Sequence, residues 1–199
     1  LPVCVRACGS SLSGMLSFIS KTRRGIEKIM KNILELDKQR YSGGGIPRFL
    51  QFYRKAQMSR NPIFHKIYKK LFEILAKKNG IEFSVDTKIG YGFYVGHPYG
   101  ITINPKVVIG NNVNIHKGVT IGQENRGKRK GTPHIGDKVW IGVNSTIVGN
   151  IVIGDDVLIA PNTYINCDVP DHSVVFGNPC IIKHVDNATK DYINHIAQI

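Results

Sequence analysis

The most regular feature of the sequence is an isoleucine or valine at every sixth position from about residue 83 onward. The series runs through Ile89, Val95 and Ile101, shifts by two residues to Ile103 and continues to Ile121. After a loop it resumes at Ile135 and continues to Ile165. Glycine often follows the isoleucine directly, and a second small or apolar residue often follows four positions later. Neither the 3.6-residue period of an α-helix nor the two-residue period of a flat strand produces this spacing. A short repeat of fixed length predicts a solenoid.

Six residues per side and three sides per turn form a triangular parallel β-helix, in which each isoleucine points inward and the small residues allow tight corners. The repeat extends over about 85 residues, which corresponds to roughly four coils. An ordinary β-sandwich is the alternative fold, but it would not require isoleucine at every sixth position. Stacked coils leave flat outer faces and open ends, and this favours side-by-side trimers.

The first 80 residues follow a different pattern. Residues 16–40 have apolar side chains at helical spacing with charges on the other face, and a second helical stretch follows at 48–57. Asn61 and Pro62 open a third helix, which Gly80 is placed to end. We therefore predict a mainly β protein with a helical region at 1–80, a β-helix at 81–185 and a short C-terminal helix at 186–199.

Composition narrows the classes of protein that remain. Residues are 42% hydrophobic and 21% charged, and no apolar run reaches the roughly 18 residues of a membrane span. Arg6 and three serines interrupt the N-terminal stretch, which we interpret as a mobile tail and not as a signal peptide. The four cysteines form neither a zinc-binding spacing nor a disulfide framework, so a reducing cytoplasm is expected.

The net charge of +13 is concentrated at one end of the chain. Residues 1–80 contain 17 Lys and Arg against 4 Asp and Glu, whereas residues 81–199 contain 10 of each. Such a region attracts anions, including phosphate backbones, lipid headgroups and acidic polymers. We expect no nucleic acid partner, but the basic region would allow peripheral contact at the inner face of the membrane. A solvated helical surface without a partner is the other interpretation.

Five segments resemble the hexapeptide-repeat acyltransferases, whose fold is a left-handed parallel β-helix. They are GHPYGITI (96–103), IGNNVNIHKGVTIGQ (109–123), ENRGKRKGTP (124–133), HIGDKVWIGVNSTIVGN (134–150) and VPDHSVVFGNP (169–179). The resemblance is to the serine acetyltransferase branch, and within it more to the polysaccharide O-acetyltransferases of the colanic acid and polysialic acid type. It implies acetyl transfer from acetyl-CoA to a hydroxyl, with CoA lying between adjacent β-helices of a homotrimer.

This chemistry requires a base that takes the hydroxyl proton, and histidine has a suitable pKa near pH 7. His97 occupies the position that resembles the catalytic histidine of the family. In the serine enzymes an acidic residue fifteen positions earlier orients that histidine, and Glu82 stands there, with Asp86 as a second candidate. His97 is therefore the first candidate for the base and Glu82 for the group that orients it.

His116 is the competing candidate for the base. It should lie on the same face of the prism as His97, one coil away and roughly 5 Å distant in backbone spacing. Trp140 follows His116 by 24 residues, a spacing similar to that of the polysialic acid enzymes, where the tryptophan helps to position the acetyl donor. The residues leave open which histidine is the base. Zinc binding by the two histidines, as in hexapeptide carbonic anhydrases, lacks the further ligands it would need, and no metal is predicted.

The resemblance also implies groups that contact the donor and the acceptor. The basic loop at 124–133 would cover both substrates, with Lys128 and Arg129 placed to attract phosphate or an acidic acceptor. A solvated loop is the alternative. The candidates for CoA contact are Gly122, Gly142, Val143, Ser145, Ala160 and Lys183.

The expected acceptor is a sugar hydroxyl of a capsular or other surface polysaccharide, acidic or lipid-linked. Serine enzymes have an Asp directly before the catalytic histidine and an Arg-His pair before the proline that leads into the hexad after the loop. This chain has Gly96, Gly131 and Thr132 at these positions. The groups that bind the serine zwitterion are therefore absent. Serine O-acetyltransferase of cysteine biosynthesis is the alternative enzyme, and a non-catalytic basic scaffold that binds nucleic acid or membrane is the alternative of another class.

Overall fold

The computed structural model describes residues 33–42 and 44–199. The expected mobile tail and residues 16–32 of the predicted first helix lie outside this range. Residues 33–39 are helical, and two further helices follow, α1 (Arg48–Met58) and α2 (Pro62–Lys78). The Asn61 side chain caps α2, because its Oδ1 accepts hydrogen bonds from the Ile63 and Phe64 amides at 2.9 and 3.4 Å.

Helix α1 packs against the first coil of the β-helix. Tyr53 is fully buried among aromatic rings, and its hydroxyl donates to the Thr87 carbonyl at 2.6 Å. Arg54, one residue later, donates to the Asp37 carboxylate at 2.7 Å and to the Ile89 carbonyl at 2.8 Å. A buried ion pair therefore joins the 33–39 helix, α1 and the first coil.

Short strands form the rest of the described chain. They are β1 (Lys88–Ile89), β2 (Tyr94–Gly96), β3 (Thr102–Ile103), β4 (Val108–Ile109), β5 (Asn114–His116), β6 (Thr120–Gly122), β7 (His134–Ile135), β8 (Trp140–Ile141), β9 (Thr146–Val148), β10 (Val152–Ile153), β11 (Val157–Ile159), β12 (Tyr164–Ile165), β13 (Ser173–Phe176) and β14 (Ile181–His184).

The strands pair in parallel into three sheets, which are the three sides of the predicted prism. Sheet 1 has the order β1-β4-β7-β10, sheet 2 the order β2-β5-β8-β11-β13-β14, and sheet 3 the order β3-β6-β9-β12. Only β14 is antiparallel to its neighbour in these sheets. Register places the isoleucines of successive coils directly above one another inside the prism, where they are almost completely buried. The stacked rows are Ile89-Ile109-Ile135-Ile153, Val95-Ile115-Ile141-Ile159-Val175 and Ile103-Ile121-Ile147-Ile165.

The two-residue shift in the repeat lies at the corner between β2 and β3. Val95 and Ile103 are the consecutive row residues, so this side of the prism is eight residues long instead of six. Ile101, Val107 and Val113 are also buried, and each stands two residues before a member of the stacked rows, namely Ile103, Ile109 and Ile115. Ile101 therefore belongs to this second buried set, and the extra residues form the turn that carries His97.

A ladder of side chains explains why glycine so often follows the row isoleucine. The Asn111, Asp137 and Asp155 amides each donate to a carboxylate of the next coil, at 2.7, 2.6 and 2.8 Å. A Cβ at the preceding residue would lie too close to that carboxylate, as at Gly110, where it would be 2.3 Å from Asp137 Oδ1. Glycine is therefore needed where successive coils approach most closely.

The prediction of a C-terminal helix at 186–199 is wrong, since this segment consists of consecutive turns. Asn187, Asp191 and His195 have positive φ angles, and these interrupt a helix. The segment is held by the corners of the β-helix: the buried Asp156 carboxylate accepts hydrogen bonds from the Ala188 and Thr189 amides, both at 3.0 Å. Asn112 exchanges two hydrogen bonds with the backbone of Ala197. These contacts with the coils replace the hydrogen bonds of a helix. Within the described residues, no helix has the length and apolar character needed to cross a membrane.

Candidate active site

His97 lies at the corner between sheets 2 and 3, directly after β2. Its side chain is exposed and its φ is +54°, a left-handed conformation that re-aims the side chain at the turn. Three of the predicted CoA contacts, Gly142, Val143 and Ala160, lie at the same corner in later coils. The structure therefore aligns His97 with these positions along one edge of the prism.

His116 ends β5, and its strand position is paired with Gly96, next to His97. Its ring packs against Trp140 with centroids 4.8 Å apart. Nε2 is buried and has no hydrogen-bond partner. Burial lowers the pKa of His116, and the neighbouring His97 lowers it further. The neutral imidazole is therefore favoured for His116. Its backbone lies one coil from Gly96, the residue before His97, but His97 itself lies at the corner and not on the same face.

Gly96 determines where the His116 ring can lie. A Cβ at Gly96 would be 2.6 Å from His116 Nδ1 and 2.7 Å from Cε1. Any side chain at position 96 would thus displace the imidazole. Gly131, at the second of the zwitterion-binding positions, is similarly restricted, because its Cβ would lie 2.9 Å from the Asn150 Cβ. The glycines at both positions have structural reasons in this chain.

The expected pairing of Glu82 with His97 is not found within one protomer. Glu82 bridges Thr102 on sheet 3, across the corner from His97, and its exposed side chain lies beside Phe83 and Lys69. Asp86 is also elsewhere, with its carboxylate accepting a hydrogen bond from the Ser84 hydroxyl at 3.0 Å. Glu82 lies beside Thr102 on sheet 3, whereas His97 lies on the β2–β3 turn, and no hydrogen bond joins the two side chains in the described part of the chain.

The basic loop folds back beside sheet 3. Lys128 and Arg129 lie in a single exposed 3-10 turn (Gly127–Arg129), and the Glu124 and Gly131 backbones exchange two hydrogen bonds of 2.9 Å across the base of the loop. His116 and Trp140 lie on sheet 2. Within one protomer, therefore, the predicted positioning residues form two separate groups.

Several of the predicted CoA contacts have other roles in this structure. Ser145 is buried and its hydroxyl donates to the Ala160 carbonyl at 3.0 Å, so the side chain is already bonded. A Cβ at Gly142 would be 2.6 Å from the Pro161 amide nitrogen, and this close approach between coils accounts for the glycine. Gly122 lies on sheet 3 near Glu82. Lys183 is exposed on β14, with Nζ 5.5 Å from the centre of the Phe176 ring.

A cavity of about 430 Å³ lies over sheet 2, and sequence reasoning missed it. Its floor includes Asn114, His116 and Trp140. One wall is formed by residues 40–42 and 44–45, and the other by Tyr192, Asn194 and His195. These walls are some 150 residues apart in sequence. On sheet 2 the residue before each inward-facing isoleucine or valine is aromatic or aliphatic except at Asn114, and this amide is a signal that could have indicated a site here.

Among residues 33–42 and 44–199, no group of three His, Cys, Asp or Glu side chains is close enough to hold a metal ion.

Comparison with known proteins gives consistent matches. The family model described as "Bacterial transferase hexapeptide (six repeats)" matches residues 132–167. Serine acetyltransferase of Helicobacter pylori is 33% identical over 126 residues, covering 63% of this chain and 74% of that protein. Serine acetyltransferase 2 of Arabidopsis thaliana is 33% identical over 159 residues, covering 74% of this chain. The chain spans only about half, 49%, of the Arabidopsis protein.

The solved structure of soybean serine acetyltransferase complexed with serine is also similar. It is 30% identical, with a TM-score of 0.56, and the match covers 68% of this chain and 56% of that one. The left-handed β-helix expected from the hexapeptide pattern is thereby confirmed.

The prediction of a polysaccharide-modifying enzyme is wrong, because the similar proteins at 33% identity are serine acetyltransferases. The missing zwitterion-binding residues had suggested a sugar acceptor.

Proposed function

Because the chain belongs to the hexapeptide-repeat acetyltransferases, and the relatives it matches are serine acetyltransferases, we propose that it transfers the acetyl group of acetyl-CoA to the hydroxyl of serine. The observation that carries this proposal is the 33% identity over 126 residues, which spans 74% of the Helicobacter pylori enzyme. The products would be O-acetylserine and free CoA.

In this reaction His97 acts as the general base. The serine oxygen bonds to the thioester carbonyl carbon as His97 accepts its proton, the carbon–sulfur bond then breaks, and the proton passes from the imidazole to the CoA thiolate. Two features support His97 over His116: its side chain is exposed, and it lies on the same edge as Gly142, Val143 and Ala160. An acceptor can reach His97 without any displacement, whereas His116 Nε2 is enclosed.

His116 then has a supporting role. As a neutral ring packed on Trp140 and directly beside the His97 turn, it adds no positive charge next to the base. A cationic neighbour would repel the positive charge that the base acquires when it accepts the serine proton, and a neutral His116 avoids this repulsion.

The test measures thiol release from acetyl-CoA with L-serine as acceptor, and with L-alanine as a control that has the same zwitterion but no hydroxyl. We expect release with serine only. The variant His97→Asn should lower turnover by roughly two to four orders of magnitude, and asparagine tolerates the positive φ at this position. The matched variant His116→Asn should have a smaller effect.

A larger loss in His116→Asn than in His97→Asn would assign the base to His116. Equal thiol release with alanine and serine would contradict the proposed acceptor. Circular dichroism of both variants establishes that the β-helix is retained.

The assembly proposed with this function is a homotrimer, as the resemblance to the family implies. Light scattering should then give three times the 22.1 kDa chain mass. Contact with an anionic membrane surface is also part of the proposal, supported by α2, where Ile63, Phe64, Ile67 and Ile74 are exposed beside five lysines of the same helix. An amphipathic helix of this composition suits the boundary between headgroups and acyl chains.

A further inference from the structure

The cavity over sheet 2 has a buried arginine in its wall. Arg40 is only 4% exposed, and its guanidinium donates to the Gly92 carbonyl at 3.1 Å, to the Asn194 carbonyl and to Asn114 Oδ1. All three acceptors are neutral. A guanidinium has five N–H donors, so these bonds leave two of them unused.

Within the described residues, the charge of Arg40 is not paired with a carboxylate. The nearby Asp37 is already bonded to Arg54 Nε at 2.7 Å and to the Phe93 amide at 3.0 Å. Burial lowers the pKa of Arg40 to about 10, a sign of the cost of keeping this charge out of water. Buried charges are ordinarily paired, so a cation exposed only to a cavity indicates an anionic occupant.

Aromatic rings form much of the remaining lining. Tyr41 and Tyr94 pack together with centroids 4.7 Å apart, and Tyr192 meets Trp140 edge to face at 5.1 Å. The Tyr41 hydroxyl is bonded to the Val95 amide, and burial raises the pKa of Tyr41, so it remains neutral. The walls therefore favour a flat molecule that can stack on rings.

Hydrogen bonds hold the walls of this cavity in place. Asn114 Nδ2 donates to the Tyr192 carbonyl at 3.3 Å, and Arg40 donates to Asn194, so sheet 2 and Arg40 both hold the C-terminal segment in place. The volume of about 430 Å³ lies within the range of small-molecule sites.

We propose that this cavity is a binding site for a planar organic carboxylate, with the carboxylate facing Arg40 and the ring between the tyrosine and tryptophan side chains. The site lies on the face of sheet 2 and borders the proposed active site through His116, whereas the acetyl transfer itself is proposed at the His97 corner. The proposal does not depend on the acceptor of that reaction.

The experiment is a titration of the full chain with benzoate, followed by tryptophan fluorescence. Trp140 is the only tryptophan of the sequence and lines the cavity, so its emission reports occupancy there. Two control ligands separate the two parts of the proposal: benzamide has the ring without the charge, and acetate has the charge without the ring. We expect benzoate to bind at least about tenfold more tightly than either. Equal binding of benzoate and benzamide, or no change in emission with benzoate, would overturn the proposal.

Two variants locate the charge. Arg40→Met should reduce benzoate affinity at least about tenfold, whereas Lys190→Met, which removes an exposed charge from the same C-terminal segment, should leave it unchanged. If Arg40→Met does not fold, the comparison of benzoate with benzamide on the unaltered chain still decides. Excess CoA should not displace benzoate, and displacement would place the anion in the donor site and refute a separate one.

Discussion

Breaking the buried ion pair of Asp37 and Arg54 should destabilise the protein far more than breaking the exposed pair of Glu35 and Lys38, although both have an N–O distance of 2.7 Å. The side chains of the buried pair are 0% and 2% exposed, against 61% and 46% for the other. Removing one member of a buried pair leaves an uncompensated charge in the interior. In the exposed pair, water replaces the lost partner.

The substitution Asp37→Ala should therefore lower the free energy of unfolding by roughly 3–5 kcal/mol. It leaves the Arg54 guanidinium without its carboxylate and the Phe93 amide without its acceptor. Burial raises the pKa of Asp37 despite Arg54, which reflects the cost of desolvation that both charges share. The matched variant Glu35→Ala, in the same helical segment, should cost at most about 0.5 kcal/mol.

Urea denaturation followed by circular dichroism measures both effects. With a slope of about 2 kcal/mol per molar urea, a loss of about 3 kcal/mol moves the midpoint by ~1.5 M for Asp37→Ala. Glu35→Ala should move it by less than ~0.3 M. Shifts of similar size in the two variants would refute the argument from burial.

Three further predictions concern packing, pH and surface contact. Gly96→Ala should lower the free energy of unfolding by roughly 1–3 kcal/mol and alter tryptophan emission, because the new Cβ would lie 2.6 Å from His116. In the control Gly122→Ala the nearest neighbour of the new Cβ is 3.4 Å away, so its stability in urea denaturation should be nearly unchanged. Burial alone would raise the pKa of Asp156, but hydrogen bonds from Thr189 and His172 lower it. The ionised carboxylate therefore stabilises the fold above about pH 4, and this stabilisation is lost as the pH falls through the lowered pKa. Exchange of the Thr189 amide should accordingly accelerate in acid, and constant protection would contradict this. Finally, the chain should co-sediment with anionic vesicles and not with neutral ones, and equal binding to both would argue against the basic helix α2 as the contact.

The β-helix is predictable from the sequence because its rule is local and repeated. Every row residue must fill the same space inside the prism, so isoleucine or valine recurs at fixed spacing, and even the eight-residue side appears as a shift in the pattern. The ends of α2 are similarly local, since Asn61 bonds within two to three residues of itself.

The cavity and the C-terminal segment could not be predicted in this way. Arg40 ends the stretch predicted as an amphipathic helix, of which residues 33–39 are helical in the structure. Its partners are Gly92, Asn114 and Asn194, each more than fifty residues away. The same holds for Asp156, whose carboxylate replaces the hydrogen bonds of an expected helix. The fifteen-residue spacing also suggested a contact between Glu82 and His97 that is not seen within one protomer. Glu82 lies on sheet 3, whereas His97 lies on the turn between sheets 2 and 3, and spacing along the chain does not reveal this difference.

The loop at 124–133 is closed at its base by Glu124 and Gly131, while β6 and β7 on either side keep their full pairing with neighbouring coils. The continuity of the chain at Lys128 thus contributes little to holding the coils together. Trypsin should cut this exposed, basic loop and leave two fragments that remain associated through their sheets.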